Sequence, residues 1–271
     1  MYVLGIVGRD AENFVETLST HLAERGRVAT ITNRGDRSAS NTGGSRSVHR
    51  EIGATTSYDL ADEHWTATGA ERSLTETIDD LAPIHEYALL EGFEDAVIPK
   101  VVLGKSNYEG EALATGESGD DIDIGELIEA LESTEPYVTL ESLIRQVKSS
   151  PRADRAGAIS TFTGRVREKD SPEDDPTELI ELEMYEGVAQ ERLATIREEL
   201  EAREGVYEVI MHHRTGVIES GADIVFVVVL AGHRKEAFRT VEDGINRLKD
   251  EVPIFKKEVT DREDFWVHTR L

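Results

Sequence analysis

Three of the chain's eight lysines stand near one end of the sequence, at Lys249, Lys256 and Lys257. Four more basic groups sit in two short motifs. One is Thr161-Phe162-Thr163-Gly164-Arg165-Val166-Arg167, and the other is Ala231-Gly232-His233-Arg234. A guanidinium matches the oxygen spacing of a phosphate or carboxylate and binds it in a fork. A lysine crowded by other cations loses its proton more readily, which suits it to act as base, acid or nucleophile. Singly, each cluster also has a structural reading: a solvated Arg pair at a strand end, a local hydrogen bond before a helix, a Lys complementing a helix dipole. Jointly they predict a converged anion site. Pro253 lies between Lys249 and Lys256 and breaks the helix there, so the two lysines must meet across a turn. Phe162 and Phe255 flank the basic groups, and two readings stand for them: walls of a slot, or core filler.

The rest of the composition sharpens this. Asp plus Glu number 55 against 30 Lys plus Arg, for a net charge of −25. Such a chain is not drawn by its overall charge to nucleic acid or to an anionic membrane. The acidity predicts a salt-rich cytoplasm, where charges are screened over a few ångström. No apolar run reaches the roughly 20 residues that span a bilayer. Met1–Gly5 leads into a strand pattern without a basic region or an apolar signal core, so a cytoplasmic location is expected. Cysteine is absent, which removes disulfides, thiolate nucleophiles and Cys-ligated metals. Neither a cofactor nor a metal site is expected.

The positioning elements follow from periodicity. Residues 2–7 form an apolar run of buried-strand character, a helix carries Phe14, Val15, Leu18 and Leu22 on one face, and a second strand spans 27–32. This βαβ opening predicts a parallel sheet, continued by strands at 86–90 and 97–103. A strand, Gly8 and a helix is also the layout of a phosphate-binding loop, whose pattern is GxxxxGK[ST]. Counted from Gly8, its last three places hold Asn13, Phe14 and Val15, so the loop is degenerate. Residues 35–47 are Gly, Ser, Asn and Arg rich and read as a loop. The second half mixes helices at 137–147, 190–203 and 236–250 with strands at 157–164, 178–185, 206–213, 224–230 and 254–259. It is α+β. The division expected is an α/β P-loop-like domain over 1–106, an acidic linker and helix over 107–135, and a second domain over 136–271.

Two resemblances attach to these halves. Val3–Gly8, Gly26–Thr30, His49-Arg50-Glu51, Leu90–Phe93 and Pro99–Leu103 together resemble the adapter protein family of molybdopterin guanine dinucleotide biosynthesis. This implies a P-loop fold. The departures at Asn13, Phe14 and Val15 remove that family's phosphate-binding residues, so a scaffold or regulatory role is expected. Gly157–Arg167, Leu182–Tyr185, His213–Gly216, Ala231–Arg234, Leu248-Lys249 and Phe255–Glu258 resemble the large, catalytic subunit of molybdopterin synthase, over about 137–271.

The second resemblance implies an α/β hammerhead domain that forms a homodimer, and a heterotetramer with a small ubiquitin-like sulfur carrier. The carrier's C-terminal Gly-Gly tail arrives as a thiocarboxylate, and two sulfur transfers convert cyclic pyranopterin monophosphate into the molybdopterin dithiolene. It further implies that Lys249 and Lys256 are catalytic and that Arg165, Val166, Arg167, His233, Arg234, Lys257 and Glu258 occupy substrate-binding positions. Arg270 would be contributed across the dimer. Lys257 replaces an Arg common in the family, keeping the charge and losing the fork. Two other readings remain: a nucleotide-responsive adapter in cofactor delivery, and an acceptor of covalent ubiquitin-like conjugation at the lysines.

Overall fold

The computed structural model describes residues 1–34, 55–69, 71–169, 171–260 and 264–267. The loop expected at 35–47 and Arg270 lie outside them. The chain forms two compact units, Met1–Thr139 and Leu140–Leu271.

The first unit is built on a five-stranded parallel sheet in the order β2-β5-β1-β6-β7. Its strands are β1 (Tyr2–Gly8), β2 (Val28–Thr32), β5 (Tyr87–Glu91), β6 (Lys100–Leu103) and β7 (Ala112–Gly116). β1, β5 and β6 are buried almost throughout, as interior parallel strands covered on both faces must be. Helix α1 (Ala11–Ala23) lays Phe14, Val15, Leu18 and Leu22 against them. A separate antiparallel hairpin, β3 (Thr56–Leu60) and β4 (Trp65–Gly69), and helix α2 (Leu74–Leu81) fall between β2 and β5.

The expected linker over 107–135 is not one. Residues 112–116 supply β7, and α3 (Ile124–Glu132), capped by Asp123 accepting from the Glu126 amide at 3.0 Å, buries Leu127, Ile128 and Leu131 in the same core as Phe14 and Leu18. The helix expected in this stretch is therefore present, but as an amphipathic member of the core and not as part of a linker: Glu126 and Glu129 face outward, while Glu132 accepts from the Tyr87 hydroxyl at 2.7 Å. The unit runs on to Thr139: Tyr137 donates its amide to the Met1 carbonyl at 2.8 Å and its hydroxyl to Asp79 at 2.7 Å.

The degenerate phosphate loop is closed as well as unequipped. Asn13, Phe14 and Val15 already lie inside α1, and Phe14 and Val15 are core residues. Gly8 has φ 104°, and a Cβ placed on it would come within 2.0 Å of the Leu103 carbonyl oxygen. The Arg9 amide donates to that same carbonyl at 3.0 Å.

The second unit is α+β, with two antiparallel sheets. The first has the order β10-β12-β8, from β8 (Ala158–Arg165), β10 (Val206–His213) and β12 (Asp223–Ala231). The second has the order β11-β9-β13-β14, from β9 (Thr177–Met184), β11 (Gly216–Glu219), β13 (Ile254–Thr260) and β14 (Asp264–Val267). β12, a β-branched run buried from Val225 to Ala231, is the spine of the first sheet. Helix α4 (Leu140–Lys148) packs on β12, and α5 (Glu186–Glu201) packs on β10. Helix α6 (Arg234–Glu251) buries Ala237, Val241, Gly244, Ile245 and Leu248, the i, i+4, i+7 stripe of a core-facing helix, against Val225, Val227 and Val229. A second, smaller core of Val166, Ile180, Leu182 and Ile218 sits under β9.

Candidate active site

α6 ends where Val252 caps it, its amide reaching the Leu248 carbonyl at 3.1 Å. Pro253 then turns the chain into β13. Lys249 is thus left in the last helical turn, and Lys256 falls on the third residue of the strand. β13 pairs with β9 so that Lys256 stands opposite Leu182 and Glu258 opposite Ile180. Residues directly opposite share a face, so Lys256 and Glu258 project over the small apolar core. Lys257, one residue along, projects from the other face.

Between β8, β9, β13 and the end of α6 lies a cavity of about 790 Å³, well within the range of ligand pockets. Arg165, Val166, Arg167, Lys249, Lys256 and Glu258 all line it. The structure therefore brings together both lysines, both arginines, Val166 and Glu258. It does not bring Lys257, His233 or Arg234 to this cavity. His233 and Arg234 are exposed at the N-terminal end of α6, and at 1.5 Å per residue they lie about 22 Å from Lys249. Val166 contributes apolar wall, being buried with Ile180 and Leu182. Phe162 is half-buried on the cavity wall. Phe255, 47% exposed and edge-on to Tyr185 with ring centroids 6.1 Å apart, is no core filler and borders the cavity instead.

The charges are partly committed. Lys256 Nζ lies 2.9 Å from Glu258 Oε2, and the buried Thr177 donates its hydroxyl to Glu258 Oε1. Burial alone would raise the Glu258 pKa. The hydrogen bonds from Thr177 and Lys256, together with the Lys256 and Arg167 charges, outweigh it and hold the carboxyl below its ordinary value. Arg165 donates to the Gly221 carbonyl and lies 3.3 Å from Asp223. Glu251 is tied to Arg247 at 2.6 Å. The cup is accordingly not purely cationic: Arg165, Arg167, Lys249 and Lys256 face Asp250, Glu251 and Glu258.

Two polar lining residues, Thr177 and His213, were not among the expected site residues. His213, only 5% exposed, closes the inner wall beside Val225 and Leu248. Its burial lowers its pKa, opposed by a hydrogen bond with the Arg214 backbone. The available signal was the pair His212-His213 at a strand end, where alternation sends the two rings to opposite faces. Among the described residues, no group of three or more His, Asp or Glu is placed to hold a metal, and no helix is long and apolar enough to cross a membrane.

Comparison with known proteins decides the family. The family described as "MoaE protein" matches residues 133–251. A protein of Haloferax volcanii named probable molybdopterin synthase is 50% identical over all 271 residues, covering the whole of both chains. The chain belongs to the molybdopterin synthase family. Membership makes it an enzyme of molybdenum cofactor biosynthesis. The molybdopterin synthase catalytic subunit of Bacillus subtilis is 35% identical over 144 residues, which are 53% of this chain and 88% of that one. In structure the chain is also similar to Bacillus subtilis MobB, at 15% identity and a TM-score of 0.39 over 49% of this chain and 100% of that one, a likeness that transfers no activity.

Proposed function

We propose that the cavity of the second unit is where sulfur passes from the thiocarboxylated tail of a small ubiquitin-like carrier to cyclic pyranopterin monophosphate, forming the molybdopterin dithiolene. The observation carrying this reading is that Lys249 and Lys256, on different elements, face one cavity with Arg165 and Arg167. Both reactants are anions, a phosphate diester and a thiocarboxylate, and cationic donors hold such groups by charge-assisted hydrogen bonds. Arg165 and Arg167 orient the phosphate. Glu258 and Thr177 fix the Lys256 ammonium against the substrate, while Lys249 stays exposed at the mouth. In each transfer a carbon–sulfur bond forms on the substrate side chain as a carbon–oxygen bond there breaks, its oxygen staying with the phosphate or leaving as water. Water then hydrolyses the carrier thioester, and the carrier leaves as a carboxylate. The lysines donate and accept the protons that this exchange moves.

Lys249→Ala should leave the fold intact and cut dithiolene formation by at least about a hundredfold, the scale of a lost proton-transfer group. Retained turnover with a thiocarboxylated carrier refutes the assignment. His233 and Arg234, so far from their own cavity, can serve catalysis only in that of a second copy, which supports a homodimer. Mixing Lys249→Ala chains with His233→Ala chains should then restore part of the activity, and no restoration argues for a monomeric site.

A further inference from the structure

β10 ends in two histidines with opposite fates. His212 stacks on Phe226 at 6.2 Å between centroids. His213 shares its face with Val209 and Met211, residues of the main core of the second unit, and meets the cavity where Phe162, Val225 and Leu248 form its apolar wall.

The hydrogen bonding of His213 fixes its tautomer. Its Nδ1 lies 2.8 Å from the Arg214 carbonyl oxygen, and a carbonyl only accepts, so Nδ1 carries the hydrogen. In the neutral ring, the form that burial favours, Nε2 is then a bare acceptor. Among the described residues the sealed side-chain atoms without partners are Ser19 Oγ and Glu236 Oε2. Nε2 is not one of them, and His213 lines the cavity. The other polar groups there are differently disposed. Arginine and lysine have donors and no acceptor, Glu258 is taken by Thr177 and Lys256, and Glu251 by Arg247. Asp250 is exposed at the rim. The inner, apolar part of the cavity thus offers a neutral acceptor from His213.

We propose that His213 is a substrate-recognition residue whose Nε2 accepts a hydrogen bond from a ring N–H or amino group of the pterin. The inference rests on the cavity being the substrate site. A pterin is flat, apolar on its faces and edged with N–H donors, which suits a wall of Phe162, Val225 and Leu248 carrying one acceptor. A site built to pair a donor discriminates against ligands lacking it, since its own polar group is then left unmatched.

Two substitutions separate recognition from support. Asparagine at 213 keeps a donor near the Arg214 carbonyl and leaves nothing at Nε2, whereas glutamine places an acceptor near Nε2. Steady-state kinetics of the full chain with thiocarboxylated carrier and cyclic pyranopterin monophosphate should show His213→Asn raising KM about tenfold, the worth of one buried hydrogen bond. His213→Gln should keep KM within about threefold. Any other pattern overturns the proposal, including unchanged KM in both variants or equal losses of kcat in both. Lys249→Ala is measured alongside: if it retains full turnover, the cavity is not the site. If it is inactive while both His213 variants keep the parent KM, only the role of His213 falls.

Discussion

Thr177→Val is a one-atom test of how the Lys256 side of the cavity is held. Thr177 is 5% exposed on β9, and its hydroxyl donates to Glu258 across the pairing with β13. Valine keeps the shape and removes the donor. A hydrogen bond to an ionised group contributes about 1.5–3 kcal/mol. Glu258 keeps Lys256 at 2.9 Å, so a loss of about 1–2 kcal/mol is expected for the second unit at pH 7. Without the Thr177 donor, burial is less opposed and the Glu258 pKa moves up. The bond exists only while Glu258 is ionised, and its folded pKa is below the ordinary value. Its contribution is therefore full above about pH 4.3 and disappears as pH falls through the folded value. Hydrogen exchange of the β9 and β13 amides in denaturant should show the gap between variant and parent at pH 7 and its narrowing as acid protonates Glu258. No gap at neutral pH, or one that widens in acid, refutes the reasoning.

Leu131→Ala tests the membership of residues 107–135 in the first core. Leu131 is 1% exposed, so truncation should cost that unit about 2–5 kcal/mol, read as a lower denaturation midpoint, whereas a linker position would move it by no more than about 0.5 kcal/mol. Acid should weaken the second unit through β10. Burial, aided by Arg214 and His213, lowers the His212 pKa to about 4, and burial lowers that of His213. Stability is then full above about pH 6.5 and falls through the window down to about 4, by on the order of 3 kcal/mol at most for His212. A midpoint that stays flat from pH 7 to pH 4.5 in the parent would contradict this.

Much of this was legible where one physical demand dominates the local sequence. The β-branched run at 224–230 and the spacing of Val241, Ile245 and Leu248 announce a buried strand and a core-facing helix, and both are present. The break at Pro253 correctly set the two lysines on different elements. β7, Ala-Leu-Ala-Thr-Gly, carries no apolar run because it is a half-buried edge strand. The β3–β4 hairpin is almost wholly exposed, so no alternation marks it. It is closed by the Ala61 amide to the His64 carbonyl at 2.9 Å. That His233 and Arg234 lie apart from Lys249 within one chain was not legible in their motif, because sequence motifs carry no distance; the rise along α6 separates them. Lys257 stands off this cavity through strand alternation, which becomes decisive only once the pairing with β9 fixes which face is inward.

The junction of β1 and α1 bears on what the first unit can become. Only Arg9 and Asp10 stand between strand and helix, and the start of the helix is nailed to the sheet by Phe14 and Val15. Exchanging side chains to rewrite 13–15 as Gly-Lys-Ser would plant a lysine in the hydrocarbon interior and leave the backbone too taut to encircle a triphosphate. Regaining a nucleotide site would require inserting several residues after Gly8. The ancestral-looking layout is therefore a closed door, reopened by lengthening the chain and not by point substitution.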